Sequence, residues 1–263
     1  MPTAAETIEN AVQYHQGGHL QKAEQLYRLV LQNDPNNPVA LHSLGIIAHQ
    51  RGNHETAVEL IGKAIENNPQ ISQFHTTLGL VFEALGKFEE AVAAYQQAVS
   101  IKPDYAEAYH NMAVALQSQG QYSAAVEKCK QAVSLKPDYA EAYNHLGVVL
   151  NAQERSAEAI ENYRRALQID PNFTKAHWNL SLVLLRTGRL IEGWKEYEWR
   201  LNPELDITTY PHCYEIPRWD GSCFTSKRLL VHYEQGLGDT LHFVRYLPLV
   251  KAHGRSAPCW CNG

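Results

Sequence analysis

The chain has 263 residues, 44% of them hydrophobic and 10% aromatic, which is enough apolar material for a packed core and excludes disorder over most of its length. Its 23 basic and 28 acidic side chains leave a net charge of −5, which argues against a nucleic-acid binder, since that needs concentrated lysine and arginine to displace counterions. The charge is uneven: residues 1–173 carry 12 basic against 19 acidic side chains and residues 174–263 carry 11 against 9, so two regions of different character are expected.

The N-terminus, MPTAAETIENAVQYHQ, has neither a basic n-region nor an apolar h-region, and is not read as a signal peptide. No run of about 18 apolar residues occurs, so no membrane span is expected. The five cysteines are scattered, with no C-x-x-C pair, and a reducing, cytoplasmic location is the simplest reading.

From residue 4 onward the sequence keeps a step of 34. Pro35, Pro69, Pro103, Pro137 and Pro171 hold it, as do Ala23, Ala57, Ala91, Ala125 and Ala159, and the turn glycines Gly18, Gly52, Gly86 and Gly120. Leu44, Leu78, Met112, Leu146 and Leu180 form another column; Tyr27, Tyr95, Tyr163 and Tyr197 recur on the same step or its double. Within each unit two stripes of helical spacing flank a glycine turn, as in Tyr109, Met112, Ala113 and Leu116 before Gly120, then Tyr122, Ala125, Val126, Cys129 and Ala132 after it. This predicts helical hairpins ended by the prolines, with small residues where two backbones meet. Asp104 with Glu107, and Asp138 with Glu141, read as acidic capping boxes.

One such hairpin cannot bury its apolar face, but stacked neighbours can. The fold class expected is therefore all-α, a solenoid array over 4–207 with repeats 4–37, 38–71, 72–105, 106–139 and 140–173 and a degenerate sixth, 174–207. In that sixth unit Gly193 and Arg200 replace alanines and Pro203 arrives early. Glu154 stands where a turn glycine is expected.

The spaced columns resemble the tetratricopeptide repeat family, over residues 4 to about 200. The resemblance implies a right-handed superhelix whose first helices line a concave groove, and a groove of that kind usually takes a peptide or a partner protein. It places the second, fifth, ninth and twelfth positions of each unit inward. Candidate groove residues are then Gln73, Glu107, Glu141 and Lys175 at the second position, His42, Thr76, His110, Asn144 and Trp178 at the fifth, and Gln117 and Asn151 at the twelfth. Asn111 and Asn179, at the sixth position, with Asn144 beside them, are similar to the asparagine ladder of protein O-linked GlcNAc transferases, although Thr77 and His145 interrupt it. This polar lining, with no continuous hydrophobic stripe expected, suits an extended peptide held by side-chain amides better than an amphipathic helix.

The 13 histidines raise the question of a metal. Equivalent positions in neighbouring units lie on the order of 10 Å apart, too wide for two imidazoles on one zinc. No metal and no cofactor is expected.

Beyond residue 208 the register is lost. Residues 208–228 read as a linker, and residues 229–263 as the start of an α/β domain: an apolar strand Leu229-Leu230-Val231, a turn Gly236-Leu237-Gly238-Asp239, then a helical stripe. The turn lacks the third glycine of a dinucleotide fingerprint and the Gly-Lys-Ser/Thr of a phosphate loop. The stretch Gly193 to Arg200, followed by Glu-Gln-Gly-Leu-Gly-Asp-Thr, resembles the glycosyltransferase-like domain fused behind repeats in many bacterial tetratricopeptide proteins, which is related to the heptosyltransferases. The resemblance implies Asp239 as a catalytic base beside Gly236 and Gly238. Residues 229–263 are too few for two α/β domains, so a truncated piece without a donor-binding domain is expected, and a scaffold that binds a peptide or protein is favoured over a transferase.

Overall fold

Glycine turns and prolines set the described helices at 13 or 14 residues, with a last one of 8. The computed structural model describes residues 3–201. Its helices pair as α1 (Ala4–Gln16) with α2 (Leu20–Asn33), α3 (Pro38–Gln50) with α4 (His54–Asn67), and α5 (Ser72–Ala84) with α6 (Phe88–Ile101). The pairs α7 (Ala106–Ser118) with α8 (Tyr122–Leu135), α9 (Ala140–Ala152) with α10 (Ser156–Ile169), and α11 (Thr174–Arg186) with α12 (Leu190–Tyr197) follow. The six first helices begin 34 residues apart. Together they form an α-solenoid, one compact unit that ends at Tyr197; a second unit starts at Glu198, of which the described part is a short 3-10 turn, Glu198–Leu201. Among the described residues there is no strand.

Each hairpin turn needs one residue in the left-handed backbone region. Gly18, Gly52, Gly86, Gly120 and Gly188 supply it, with φ between 71° and 80°. In the fifth hairpin Glu154 adopts φ 62°, carrying the strain that a glycine would avoid. The second helices stop for a different reason. Asp34, Asn68, Lys102, Lys136 and Asp170 each close a helix with their own N–H but stand before a proline, which forces them out of helical geometry.

The capping boxes expected at Asp104 and Asp138 do not form. The residues that flank the helices there are Tyr105 and Tyr139, without a side-chain cap, because each aspartate lies one residue too far back to reach the first-turn amides. A capping box does close α1, where the Glu6 N–H donates to Thr3 Oγ1 at 3.2 Å and the Thr3 N–H donates to Glu6 at 2.8 Å. Asn37 caps α3 in the simpler way, accepting from the Ala40 N–H at 3.1 Å.

Packing within a hairpin rests on a small residue facing a large one. A Cβ added at Gly79 would meet the Tyr95 ring at 2.5 Å, and one at Gly147 would meet the Tyr163 ring at 2.6 Å. In the fourth hairpin the same pair of positions holds Ala113 and Cys129, both fully buried. The volume lost from the ring is partly returned by the methyl group, and the core stays closed. The largest apolar cluster links the third to the sixth hairpin, from Ala91 to Leu184, and smaller clusters line the junctions of the first three.

Candidate functional site

Neighbouring first helices touch one another, α3 with α5, α5 with α7, α7 with α9 and α9 with α11, and they do so more closely than neighbouring second helices. Within the array the first helices therefore lie on the inner side of the curve. Hydrogen bonds between hairpins show how they meet. His15 Nε2 lies 3.2 Å from Gln50 Oε1, His42 Nε2 2.9 Å from Thr77 Oγ1, Asn179 donates to Asn144 at 3.0 Å, and Arg186 donates to Asn151. Each pair is 35 residues apart, so the fifth position of one hairpin meets the sixth of the next, and the twelfth meets the thirteenth. This stagger of one residue defines the inner face.

The stagger also decides which candidate residues remain open to a ligand. His42 is buried, packed at 4.4 Å on the Phe74 ring. The Thr77 hydroxyl donates to the Gln73 carbonyl, so its oxygen accepts from His42 Nε2–H. Burial pushes the His42 imidazole down to about 4. Thr76 is buried too and spends its hydroxyl on the Ser72 carbonyl at 3.1 Å. His110 lies against the Tyr139 hydroxyl at 3.3 Å, and burial lowers its imidazole as well. Gln117 accepts from His145 Nε2 at 2.6 Å, which leaves His145 Nδ1 to accept from the Cys129 thiol at 3.5 Å. His145 is pushed down to about 4 and Cys129 up to about 12, both by burial, so neither is charged near neutral pH.

Glu107 is held below the usual carboxylate range by its own backbone N–H and by Lys136, whose ammonium lies at 3.3 Å. Asn144 and Asn179 make one rung of the expected ladder, and Asn151 is engaged by Arg186. Asn111 is half-buried, Gln73, Glu141 and Lys175 are exposed, and Trp178 packs on Tyr197 with ring centres 5.2 Å apart. Asp239, Gly236 and Gly238, with the linker and the α/β start, lie outside the described residues. Among the described residues no three histidine, cysteine, aspartate or glutamate side chains come together as a metal would require, and no helix is long and apolar enough to cross a membrane.

Two features were missed from the sequence. The first is the ninth position of every unit: Val12, Ile46, Leu80, Val114, Val148 and Leu182. It lies one turn from the fifth and nearly one turn from the twelfth, and two of its members, Val12 and Val148, pack partly against the core clusters. Leu80 and Leu182 are exposed and the other four half-buried. The expectation of no continuous apolar stripe is thereby corrected: an aliphatic position recurs in all six hairpins, between margins that are polar in the middle hairpins and apolar at Ile8, Trp178 and Leu185. The pattern was present in the sequence, in a column whose residues are individually unremarkable.

The second is Glu83, at the twelfth position of the third hairpin. Its Oε1 is buried without a hydrogen-bond partner, and so is the hydroxyl of the fully buried Tyr95 beside it. Loss of water pushes the Glu83 carboxyl up to about 7, the neighbouring hydroxyl offsetting only part of that cost.

Comparison with known proteins agrees with this architecture. Residues 79–120 match the family described as TPR repeat, residues 110–172 the tetratricopeptide repeat, and residues 16–98 the anaphase-promoting complex, cyclosome, subunit 3. The array is a tetratricopeptide-repeat array. Among solved structures it is similar to MamA, at 25% identity with a TM-score of 0.56, covering 61% of this chain and 94% of MamA. It is also similar in fold to YrrB, described as a TPR protein with an unusual peptide-binding site, at 21% identity with a TM-score of 0.56, covering 72% of this chain and 93% of YrrB. A curated relative, protein FlbA of Caulobacter vibrioides, is 42% identical over 66 residues, 24% of this chain. That stretch is 11% of FlbA, so the match spans a small part of the relative's length.

Proposed function

We propose that the array is an interaction scaffold that takes an extended peptide segment of a partner protein along the inner face of its first helices. The observation that carries this reading is the aliphatic row from Val12 to Leu182, bordered by Gln73, Asn111, Asn144 and Asn179. An aliphatic row removes apolar side chains of a ligand from water, and side-chain amides satisfy the backbone groups that an extended chain leaves unpaired. A helical ligand would have no use for those amides, because its backbone is bonded internally. The peptide-binding site described for YrrB, a protein of the same fold, supports the reading.

The test is a fluorescence-anisotropy titration of peptides selected from a random library on the whole chain. Replacing Asn111, Asn144 and Asn179 together by alanine should weaken binding by about tenfold, the equivalent of one or two lost hydrogen bonds, with circular dichroism unchanged. Equal affinity for the triple variant and the parent would overturn the amide-held mode.

A further inference from the structure

Across the hairpins, a polar side chain at the twelfth position finds a partner. His15 meets Gln50, Gln117 meets His145, and Asn151 meets Arg186. His49 faces Ala84 in the next hairpin and turns instead to His54, with the two Nδ1 atoms 3.0 Å apart. Glu83 is the exception. The residue staggered against it is Ser118, whose hydroxyl is spent on the Val114 carbonyl at 3.2 Å. On the other side, the Tyr95 hydroxyl faces the carboxyl closely enough to offset part of its burial cost, but in a geometry too poor for a well-formed hydrogen bond, so Glu83 Oε1 keeps no full partner. A carboxylate and a phenol are thus buried at the same spot, each with an unsatisfied atom, next to the exposed Leu80 of the aliphatic row. Native structures rarely leave two such groups together, because each unpaired atom carries a desolvation cost.

No lysine or arginine of the described residues pairs with Glu83, whereas Glu24, Glu107, Glu158 and Glu192 all have one. What the spot lacks is a strong hydrogen-bond donor that carries positive charge. We propose that Glu83, with Tyr95 behind it, seats a cationic group of the ligand: a lysine, an arginine or a free amino terminus, carried on an extended segment whose aliphatic side chains follow the row through Leu80 and Val114. The inference rests on the groove reading and adds the ligand's chemistry. An ammonium or guanidinium here makes a charge-assisted bond to the carboxylate in a site already stripped of much of its water. Neighbouring hairpins are about 10 Å apart, and a segment in the polyproline-II form of extended chain advances about 3.1 Å per residue with about three residues per turn, so aliphatic side chains on one side should recur at about every third residue around the cation.

The experiment is a selection from a phage-displayed library of random dodecapeptides on the whole chain and on its Glu83→Gln variant, which keeps the side chain's shape. Peptides selected on the parent should be enriched in a basic residue flanked by aliphatic ones at a three-residue period, and those selected on the variant should keep the aliphatic pattern and lose the basic residue. In titrations of the best peptide, changing its basic residue to glutamine should cost about tenfold in affinity with the parent and less than about twofold with Glu83→Gln. Enrichment without a basic residue, or an equal loss with both proteins, overturns the cationic seat and leaves the groove reading standing. No enrichment on either protein overturns both.

Discussion

The third and fourth hairpins are neighbours in one core, yet they resolve the same two positions in opposite ways. In α5–α6 a glycine makes room for a buried tyrosine ring, and the groove-side acid above it, Glu83, is left with an unpaired oxygen. In α7–α8 an alanine faces the buried Cys129, and the groove-side amide, Gln117, closes a chain through His145 to that thiol. The comparison separates what stacking demands from what a ligand would use. Stacking demands that the two facing volumes add up, and both solutions do. It does not demand that Glu83 lack a partner, since the adjacent hairpin satisfies its own polar residue at the same position.

The largest effect should come from exchanging the two packing solutions. Gly79→Ala forces a methyl group into the Tyr95 ring and should cost about 2 kcal/mol or more, while Tyr95→Cys empties a ring-sized volume and should cost about 3 kcal/mol. The double variant copies the fourth hairpin and should be clearly more stable than the sum of the two single losses, as a double-mutant cycle from urea midpoints would show. Strict additivity would break the volume-exchange account.

Next in size is a difference in pH response. His145 sits at about 4 in the folded chain against 6.5 for a free histidine. Between those values the unfolded state holds the extra proton, so stability is lost as pH falls from about 6.5 to about 4, on the order of 2–3 kcal/mol. Glu83 runs the other way: at about 7 when folded against 4.5 when free, it favours the folded state at low pH and loses that advantage as pH rises from about 4.5 through 7. Its effect should be smaller because the side chain is still partly exposed. Thermal midpoints measured from pH 4 to 8 should show a shallower acid limb in His145→Gln, the remainder being carried by the buried His42 and His110, and should lose their decline toward neutral pH in Glu83→Gln. Unchanged profiles would contradict the burial of both groups.

The turns offer the smallest effect and a control. The third and fourth hairpins turn through Gly86 and Gly120, the fifth through Glu154 at φ 62°. Glu154→Gly should raise stability by about 0.5–1 kcal/mol, whereas Gly86→Ala and Gly120→Ala should each lower it by a similar amount. A destabilised Glu154→Gly would mean that the glutamate side chain makes up for its backbone strain.

Much of this architecture was legible in the residue columns, because packing leaves few choices where two helices approach: alanine or glycine against tyrosine, glycine in a left-handed turn, proline after a helix end. The inner face was less legible. His42, Thr76, His110 and Gln117 stand at groove positions within their own helices but are engaged elsewhere, His42 by Thr77 across the one-residue stagger, Gln117 by His145 of the next hairpin, His110 by Tyr139 at the entry to that hairpin and Thr76 by its own helix, and none of these contacts is visible in the column pattern. The same stagger pairs Asn144 with Asn179 and leaves Glu83 against a serine that is already bonded. The aspartates at 104 and 138 misled for a local reason, since Pro-Asp-Tyr delays each helix by one residue beyond their reach.

The claim at the centre of this account is that a partner segment lies along the aliphatic row of the first helices. Methyl-labelled NMR of the whole chain, titrated with a library-selected peptide, tests it directly. The Leu80, Val114, Val148 and Leu182 methyls should shift on binding, while the core methyls of Val99, Val126 and Ile160 on the second helices stay in place. Shifts gathered on α6, α8 and α10, with those four methyls unmoved, would contradict it.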